Sequence, residues 1–282
     1  MIEANGAARR KDRYAVMGNP IAHSLSPRIH HLFAQQTDQC IAYEALLVET
    51  DGFAQAVAAF QKAGGKGLNV TVPFKQEAYS IANVLSPRAQ RAGAVNTLSI
   101  GDDGKLSGDN TDGAGLVRDL TQNRELTLTG KQILLVGAGG AARGVLAPLL
   151  AQSPSRLFIG NRTAERAEQL AAAFKDLGDV EGCGFDALSG LSFDIVINAT
   201  AAGLQGRVPE LPNGVIGSQS CCYDMMYGSE PTAFVRHALQ RGAKSSFDGL
   251  GMLVEQAAES FLIWRGVLPD TRPVIEALRV QT

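Results

Sequence analysis

An apolar run at residues 133–136 passes directly into Gly137-Ala138-Gly139-Gly140-Ala141-Ala142, and an alanine-rich stretch follows as far as Leu150. This is the G-x-G-x-x-A form of the dinucleotide-binding turn, with a strand before it and a helix after it as that chemistry requires. The first glycine permits the tight turn. The second lets the backbone approach a pyrophosphate, and the small Ala142 lets helix and strand pack closely. The helix start offers unpaired N–H groups and a positive dipole end to phosphate. About 20 residues further on, a NAD site carries an acidic residue for the ribose 2′-hydroxyl. Here the second strand ends in Asn161-Arg162-Thr163, with Arg166 one helical turn beyond. Two guanidinium groups and a hydroxyl suit a 2′-phosphate dianion. NADP is therefore expected rather than NAD; a solvated helix start is the competing reading of these residues.

The N-terminal third holds a second set of chemically useful residues. Ser24 and Ser26 stand at an expected helix start, where two hydroxyls and free N–H groups could hold a small carboxylate. Plain N-capping by Ser26, ahead of Pro27, explains the same residues. Asn69-Val-Thr71-Val-Pro73-Phe-Lys75 places a polar strand end, a proline stop and a lysine together. Gly93-Ala-Val-Asn96-Thr97 ends in another polar pair, and Gly108-Asp-Asn-Thr-Asp112-Gly113 is a polar loop entering a helix. Each of these, taken singly, reads as turn chemistry.

These groups need a scaffold, and the chain supplies one. At 282 residues with 45% apolar residues it suits two domains with real cores. Strands are expected near 14–17, 41–48, 68–71, 94–100, 133–136, 156–159, 194–198 and 221–225. Helices are expected at 27–36, at 51–63 with Asp51 as cap, from 74, from Ser86-Pro87, and at 111–120, 140–150, 164–174, 231–241, 249–265 and 272–279. Gly101-Asp-Asp-Gly104 reads as a hairpin turn. Alternation of strands and helices means an α/β fold with parallel or mixed sheets. Two domains are expected: an N-terminal α/β domain (1–111), to which the C-terminal helices (249–282) return for want of a sheet of their own, and a Rossmann NADP-binding domain (112–248). The net charge of −2 gives no electrostatic case for nucleic acid or an acidic membrane surface. No apolar run approaches a membrane span. Residues 1–12 read as a disordered tail without a signal-peptide core, and the protein as cytoplasmic. Cys40, Cys183, Cys221 and Cys222 lack C-x-x-C spacing and read as buried thiols. No metal site is expected, and only a small-molecule partner, with the chain a monomer or homodimer.

Taken in order, His23-Ser-Leu-Ser-Pro27, Asn69-Val-Thr-Val-Pro-Phe-Lys75, Gly93-Ala-Val-Asn-Thr97, Gly108-Asp-Asn-Thr-Asp-Gly113, Asn161-Arg-Thr163 and Gly249-Leu-Gly-Met-Leu-Val-Glu-Gln256 resemble the motif set of the shikimate dehydrogenase family. The resemblance runs from about Tyr14 to the C-terminus and includes Trp264-Arg-Gly-Val-Leu-Pro-Asp270. It implies NADPH-linked reduction of 3-dehydroshikimate to shikimate, on the route to chorismate and the aromatic amino acids, by a two-lobed fold in which an α/β substrate-binding, catalytic lobe (1–111 plus 249–282) faces the Rossmann lobe (112–248) across a cleft. It implies Lys75 and Asp112 as the catalytic pair, and Ser24 and Ser26 as holders of the substrate carboxylate. Thr71, Asn96, Tyr227 and Gln256 would contact hydroxyls or the carboxylate, and Met225 and Gly249 would line the nicotinamide side. The chemistry is coherent, because hydride delivery to a ketone leaves an alkoxide that needs a proton, and Lys75 can donate one. Burial favours a neutral lysine and a nearby carboxylate the ammonium.

Two departures stand out. The family's Asn-Ala-Thr is usually followed by Ser, then Gly two residues later; here Ala201 and Ala202 precede Gly203, on the cofactor side. The usual Tyr-x-Pro reads Tyr227-Gly228-Ser229-Glu230-Pro231. A short-chain dehydrogenase would need Tyr-x-x-x-Lys, which no tyrosine here begins. The alternatives kept are a quinate/shikimate dehydrogenase using NAD or NADP, a two-lobed folate dehydrogenase, and a non-catalytic NADP-binding module.

Overall fold

The computed structural model describes residues 11–280, so most of the expected tail lies outside the described residues; Asp12 already belongs to the first strand. Among the described residues the chain forms two six-stranded sheets. The first lobe runs β1 (Asp12–Gly18), α1 (Ser26–Gln36), β2 (Ile41–Leu47), α2 (Phe53–Lys62), β3 (Gly65–Val70), α3 (Lys75–Ile81), β4 (Val84–Leu85), α4 (Pro87–Ala92), β5 (Thr97–Ile100) and β6 (Leu106–Asp109). Its strand order is β2-β1-β3-β5-β6-β4. β1 is parallel to β2 and β3, whereas β5 is antiparallel to both β3 and β6. The sheet is therefore mixed, and the β5–β6 hairpin turns at 101–105 as its glycines suggest.

Helix α5 (Asp112–Arg118) continues as a π-helical turn, Asp119–Asn123, and leads into the second lobe. That lobe runs β7 (Gln132–Val136), α6 (Gly140–Leu150), β8 (Arg156–Asn161), α7 (Ala164–Ala172), β9 (Val180–Gly184), β10 (Ile195–Asn198), β11 (Cys221–Asp224), α8 (Ala233–Gln240) and β12 (Ser245–Phe247). The strand order β12-β11-β10-β7-β8-β9 is parallel throughout. This is the doubly wound Rossmann arrangement. Both faces of β7 are covered, as a parallel sheet requires. Ile133 and Leu135 join the core under α6 and α7, while Leu134 and Val136 join the core under α8.

Two C-terminal helices, α9 (Leu250–Arg265) and α10 (Arg272–Arg279), return to the first sheet. Val254, Ala257 and Phe261 pack on Ile29 and Phe33 of α1. Tyr14 stacks on Trp264, while its neighbours Ala15 and Met17 face the core under α2 and α3, the period-two alternation of a strand. Trp264 Nε1 donates to Leu98 O at 3.1 Å and Arg265 pairs with Asp12 at 2.6 Å. Arg88 binds Asp109 and Glu259, and Arg118 binds Glu259, so an ionic ladder joins α4, α5 and α9.

Several local expectations are corrected. Ser26 is not the cap of α1: the N-cap is Leu25, and Ser26 opens the helix itself. Asp51 does not cap α2, whose N-cap is Gly52. The strand expected at 94–100 starts only at Thr97, and the helix expected to 120 is α-helical only to Arg118. Cys40 is half-buried, in contrast to Cys183, Cys221 and Cys222. No helix among the described residues is long and apolar enough to cross a membrane.

Candidate active site

The mixed sheet brings four separated segments to one edge. The chain leaves β1 toward Ser24 and β3 toward Lys75. It enters β5 from Asn96 and leaves β6 toward Asp112. Because β5 is antiparallel to β3 and β6, its beginning lies beside their ends: Asn69 pairs with Thr97, and Thr97 with Asp109. The loops after β1 and β3 are joined there by Thr71 N to Met17 O (3.0 Å) and Asn19 N to Val72 O (3.0 Å).

Lys75 opens α3 and Asp112 opens α5. Their side chains meet, with Nζ 2.5 Å from Oδ2, and are 30% and 13% exposed, so the pair is reachable from outside without being flooded by solvent. Asn96 Nδ2 donates to Asp112 Oδ1 at 2.8 Å and lies 3.3 Å from Gln256 Oε1. The Asp112 loop is held rigidly. Asn110 Nδ2 donates to Ala94 O, and Asn110 Oδ1 accepts from Asp112 N. Burial alone would raise the Asp109 carboxyl; Arg88 and Ser86 outweigh it and hold that carboxyl below its ordinary range.

Ser24 Oγ accepts from Ser26 N at 3.3 Å, and Ser26 is buried. Tyr43 lies close to Ser26. Burial pushes its phenol well above the ordinary value, and the Ser26 hydroxyl offsets part of that rise. Tyr43 donates to Asn69 Oδ1 at 2.7 Å. The tyrosine was not evident in the sequence, where nothing in β2 marks it.

On the second lobe the corresponding loops leave the carboxyl ends of parallel strands, where ligands of open α/β sheets bind. Gly137 has φ +109°, a left-handed value that favours glycine, and its N–H donates to Gly160 O at 2.7 Å. Gly139 and Gly140 have open space where a side chain would stand, so a diphosphate can come against the backbone there. Ala138 is half-buried, Ala141 exposed and Ala142 fully buried under the helix. Arg162, Thr163 and Arg166 are all exposed, and among the described residues neither arginine is held in an ion pair; Asn161 Nδ2 donates to Thr163 O. The free cations fit a 2′-phosphate.

Met225 and Gly249 touch. A Cβ on Gly249 would stand 2.4 Å from Met225 O, so only glycine lets α9 begin against that loop. Tyr227 leaves the same loop and packs against the α1–α9 core of the first lobe. Beneath lies a buried group that the sequence did not flag. Asp224 accepts from Asn198, Thr232 and Met226 N, with its carboxyl raised by burial. Asn198 Oδ1 in turn accepts from Thr200 N and Oγ1. This clamps the Ala201-containing loop next to Met225.

Three family models cover this chain in series. Residues 16–98 match the shikimate dehydrogenase substrate binding domain, 119–205 match shikimate/quinate 5-dehydrogenase, and 249–279 match the shikimate 5′-dehydrogenase C-terminal domain. The chain belongs to the shikimate dehydrogenase family. A family relative, the shikimate dehydrogenase (NADP(+)) of Alkalilimnicola ehrlichii, is 58% identical over 95% of this chain and 98% of that protein. The family fold is equally plain in solved structures. The shikimate 5-dehydrogenase of Thermus thermophilus, in complex with NADP(H) and shikimate, matches with TM-score 0.85 and 32% identity over 96% of this chain and 100% of that one. An Ael1 enzyme from Pseudomonas putida matches with TM-score 0.90 and 45% identity over 95% of this chain and 98% of that one.

Proposed function

We propose that this chain is an NADP-dependent shikimate dehydrogenase, reversibly reducing 3-dehydroshikimate to shikimate on the route to chorismate and the aromatic amino acids. The observation that carries the reading is the Lys75–Asp112 pair, held by Asn96 beside Gln256 at the edge of the first sheet. When bound, the cofactor supplies the hydride. Lys75 delivers the proton to the carbonyl oxygen in reduction and recovers it in oxidation. Asp112 orients the lysine and accepts a hydrogen bond from the substrate hydroxyl. Ser24 and Ser26 hold the carboxylate; Thr71, Asn96, Tyr227 and Gln256 fix the ring by its polar groups. Gly137, Ala138, Gly139, Gly140 and Ala141 form the diphosphate cradle. Asn161, Arg162, Thr163 and Arg166 receive the 2′-phosphate, and Met225 and Gly249 flank the nicotinamide. We assign residues 1–111 and 249–282 to the catalytic lobe and 112–248 to the cofactor lobe. A cytoplasmic monomer or homodimer fits this reading.

The test is oxidation of shikimate with NADP, followed by NADPH absorbance, with quinate and NAD as parallel arms. Turnover of shikimate with NADP well above the other three combinations supports the assignment. Equal turnover of quinate, or a preference for NAD, would move the chain to the quinate/shikimate type.

A further inference from the structure

Behind the Lys75–Asp112 pair lies a buried polar layer that none of the assignments above uses: Asn69 on β3, Thr97 on β5, Thr111, and Ser260 on α9. We propose that Thr97, braced by Ser260, is a positioning residue that fixes the Asn96 amide and through it the Asp112 carboxylate. The proposal rests on reading Lys75 and Asp112 as the catalytic pair.

The orientation of Asn96 is decided by its neighbours. The backbone N–H of Thr111 points at Asn96 Oδ1 at 2.9 Å, and a backbone N–H can only donate. The oxygen must therefore face Thr111, and the amide nitrogen must face Asp112 Oδ1 at 2.8 Å. That leaves Asp112 Oδ2 to Lys75. A reversed amide would set its oxygen against the carboxylate. Thr97 Oγ1 donates to the same Asn96 oxygen at 2.9 Å, closer than the Thr111 hydroxyl at 3.2 Å, and is the shorter side-chain bond of the lock. A hydroxyl has one proton, so Thr97 can give it to Asn96 only if its other close partner donates. Ser260 Oγ lies 2.8 Å from Thr97 Oγ1 and can do so when its single proton turns from the Gln256 carbonyl, 3.0 Å away, which keeps its helical N–H partner in α9. Asn69 Nδ2 also donates to Thr97 Oγ1 (3.3 Å) and to Ser260 Oγ (3.0 Å), with Tyr43 holding the Asn69 oxygen. Thr97 and Ser260 are both 0% exposed, so no solvent molecule at the surface replaces a lost bond. The layer is contributed by two strands, the α5 entry and α9, and it connects Tyr43 of β2, near Ser26, to Asp112.

The test is a pair of substitutions at Thr97. Thr97→Val keeps the shape and removes the donor. Thr97→Ser keeps the donor and removes a methyl group from a closed core. Loss of one hydrogen bond that holds the catalytic carboxylate should lower kcat for 3-dehydroshikimate reduction about five- to tenfold in Thr97→Val. KM for NADPH should be unchanged, because the cofactor site lies on the other lobe. Thr97→Ser should keep kcat. A role in packing alone gives the opposite order, since the serine leaves a void and the valine does not. A Thr97→Val enzyme with wild-type kcat, or a Thr97→Ser enzyme that loses as much, overturns the proposal. If Thr97→Val does not fold, Ser260→Ala is read in its place. A lowered kcat with unchanged KM for NADPH then supports the proposal, and a wild-type kcat overturns it. The wild type in the same series separates the two claims. Its inactivity on 3-dehydroshikimate would sink the functional assignment, whereas an active wild type with an indifferent Thr97→Val sinks only this inference.

Discussion

Removing the Lys75 ammonium separates catalysis from folding, and the structure sets both magnitudes. Lys75 stands at the start of a seven-residue helix, and its side chain is about a third exposed. Lys75→Ala deletes the ion pair with Asp112, whose other oxygen keeps its hydrogen bond from Asn96. A partly exposed, charge-assisted contact of this kind contributes about 1–2 kcal/mol to stability, between the values for surface pairs and for bonds to charged groups. Taken from a domain stability of roughly 5–15 kcal/mol, that leaves over about 99% of the molecules folded. Loss of folded enzyme therefore cannot account for a large loss of rate. Loss of the proton donor can: general acid catalysis contributes about 10²–10⁴-fold, or about 3–5 kcal/mol in the barrier. The assay is steady-state NADPH oxidation with 3-dehydroshikimate, alongside thermal unfolding of the same preparation. The expected result is a kcat reduced by that factor, a near-native melting transition, and a KM for substrate changed much less than kcat. A variant that keeps wild-type kcat removes Lys75 from the mechanism. A variant that loses activity only in proportion to its unfolded fraction makes the lysine structural.

Three further outcomes are expected. Ser24→Ala and Ser26→Ala should raise KM for shikimate more than KM for NADP; the N-cap position is Leu25, and Ser24 gives the helix start only a long 3.3 Å bond to Ser26 N, so either loss of stability should stay below the ~1 kcal/mol of a true N-cap, and lost stability with unaltered KM would argue against carboxylate binding. Arg162→Ala should lower kcat/KM with NADP by roughly 10- to 100-fold and leave NAD nearly unchanged, since one charge-assisted contact to the 2′-phosphate is lost; equal losses with both cofactors would refute the role. His30 gives a pH signature. It is stacked on Tyr43 with neither ring nitrogen in a normal hydrogen bond, and burial, offset only in part by Asn69, lowers its pKa to about 3. The unfolded chain then binds the proton first as pH falls, so the His30 contribution is intact above about pH 6.5 and declines below it by up to ~1.4 kcal/mol per pH unit. Chemical denaturation of wild type and His30→Phe between neutral and mildly acidic pH checks this. The variant should lose part of the acid destabilisation, and parallel curves would exclude the histidine as its source.

Legibility followed the range of the interactions. The dinucleotide turn was readable because every requirement is local: a buried strand, a glycine at positive φ and a helix start fall within a dozen neighbours. The edge strands β9 and β12 escaped notice for the opposite reason. Val180–Gly184 carries two glycines, and Ser245–Phe247 is three residues long. Such segments become strands because a neighbour offers a hydrogen-bonding edge, not by their own propensity. Ser26 shows the limit even at short range. Ser-Pro is a good helix opening, yet the turn places the start one residue earlier and leaves the serine buried beside Tyr43.

The sequence by itself determined the residue types and their order: a glycine turn, unopposed arginines after the second strand, and a lysine and an aspartate in polar loops. Those features rest on backbone sterics and side-chain charge, which one stretch of chain carries alone. Only the tertiary structure decided that Lys75 meets Asp112, that Asn96 stands between Asp112 and Gln256, and that Thr97 and Ser260 close the layer behind them. Gln256 and Ser260 lie on α9, which follows the whole Rossmann lobe, and Asn96 faces Asp112 because β5 runs antiparallel to β3 and β6. Strand order and direction are settled by burying both faces of a sheet at once, and that choice depends on every core residue together.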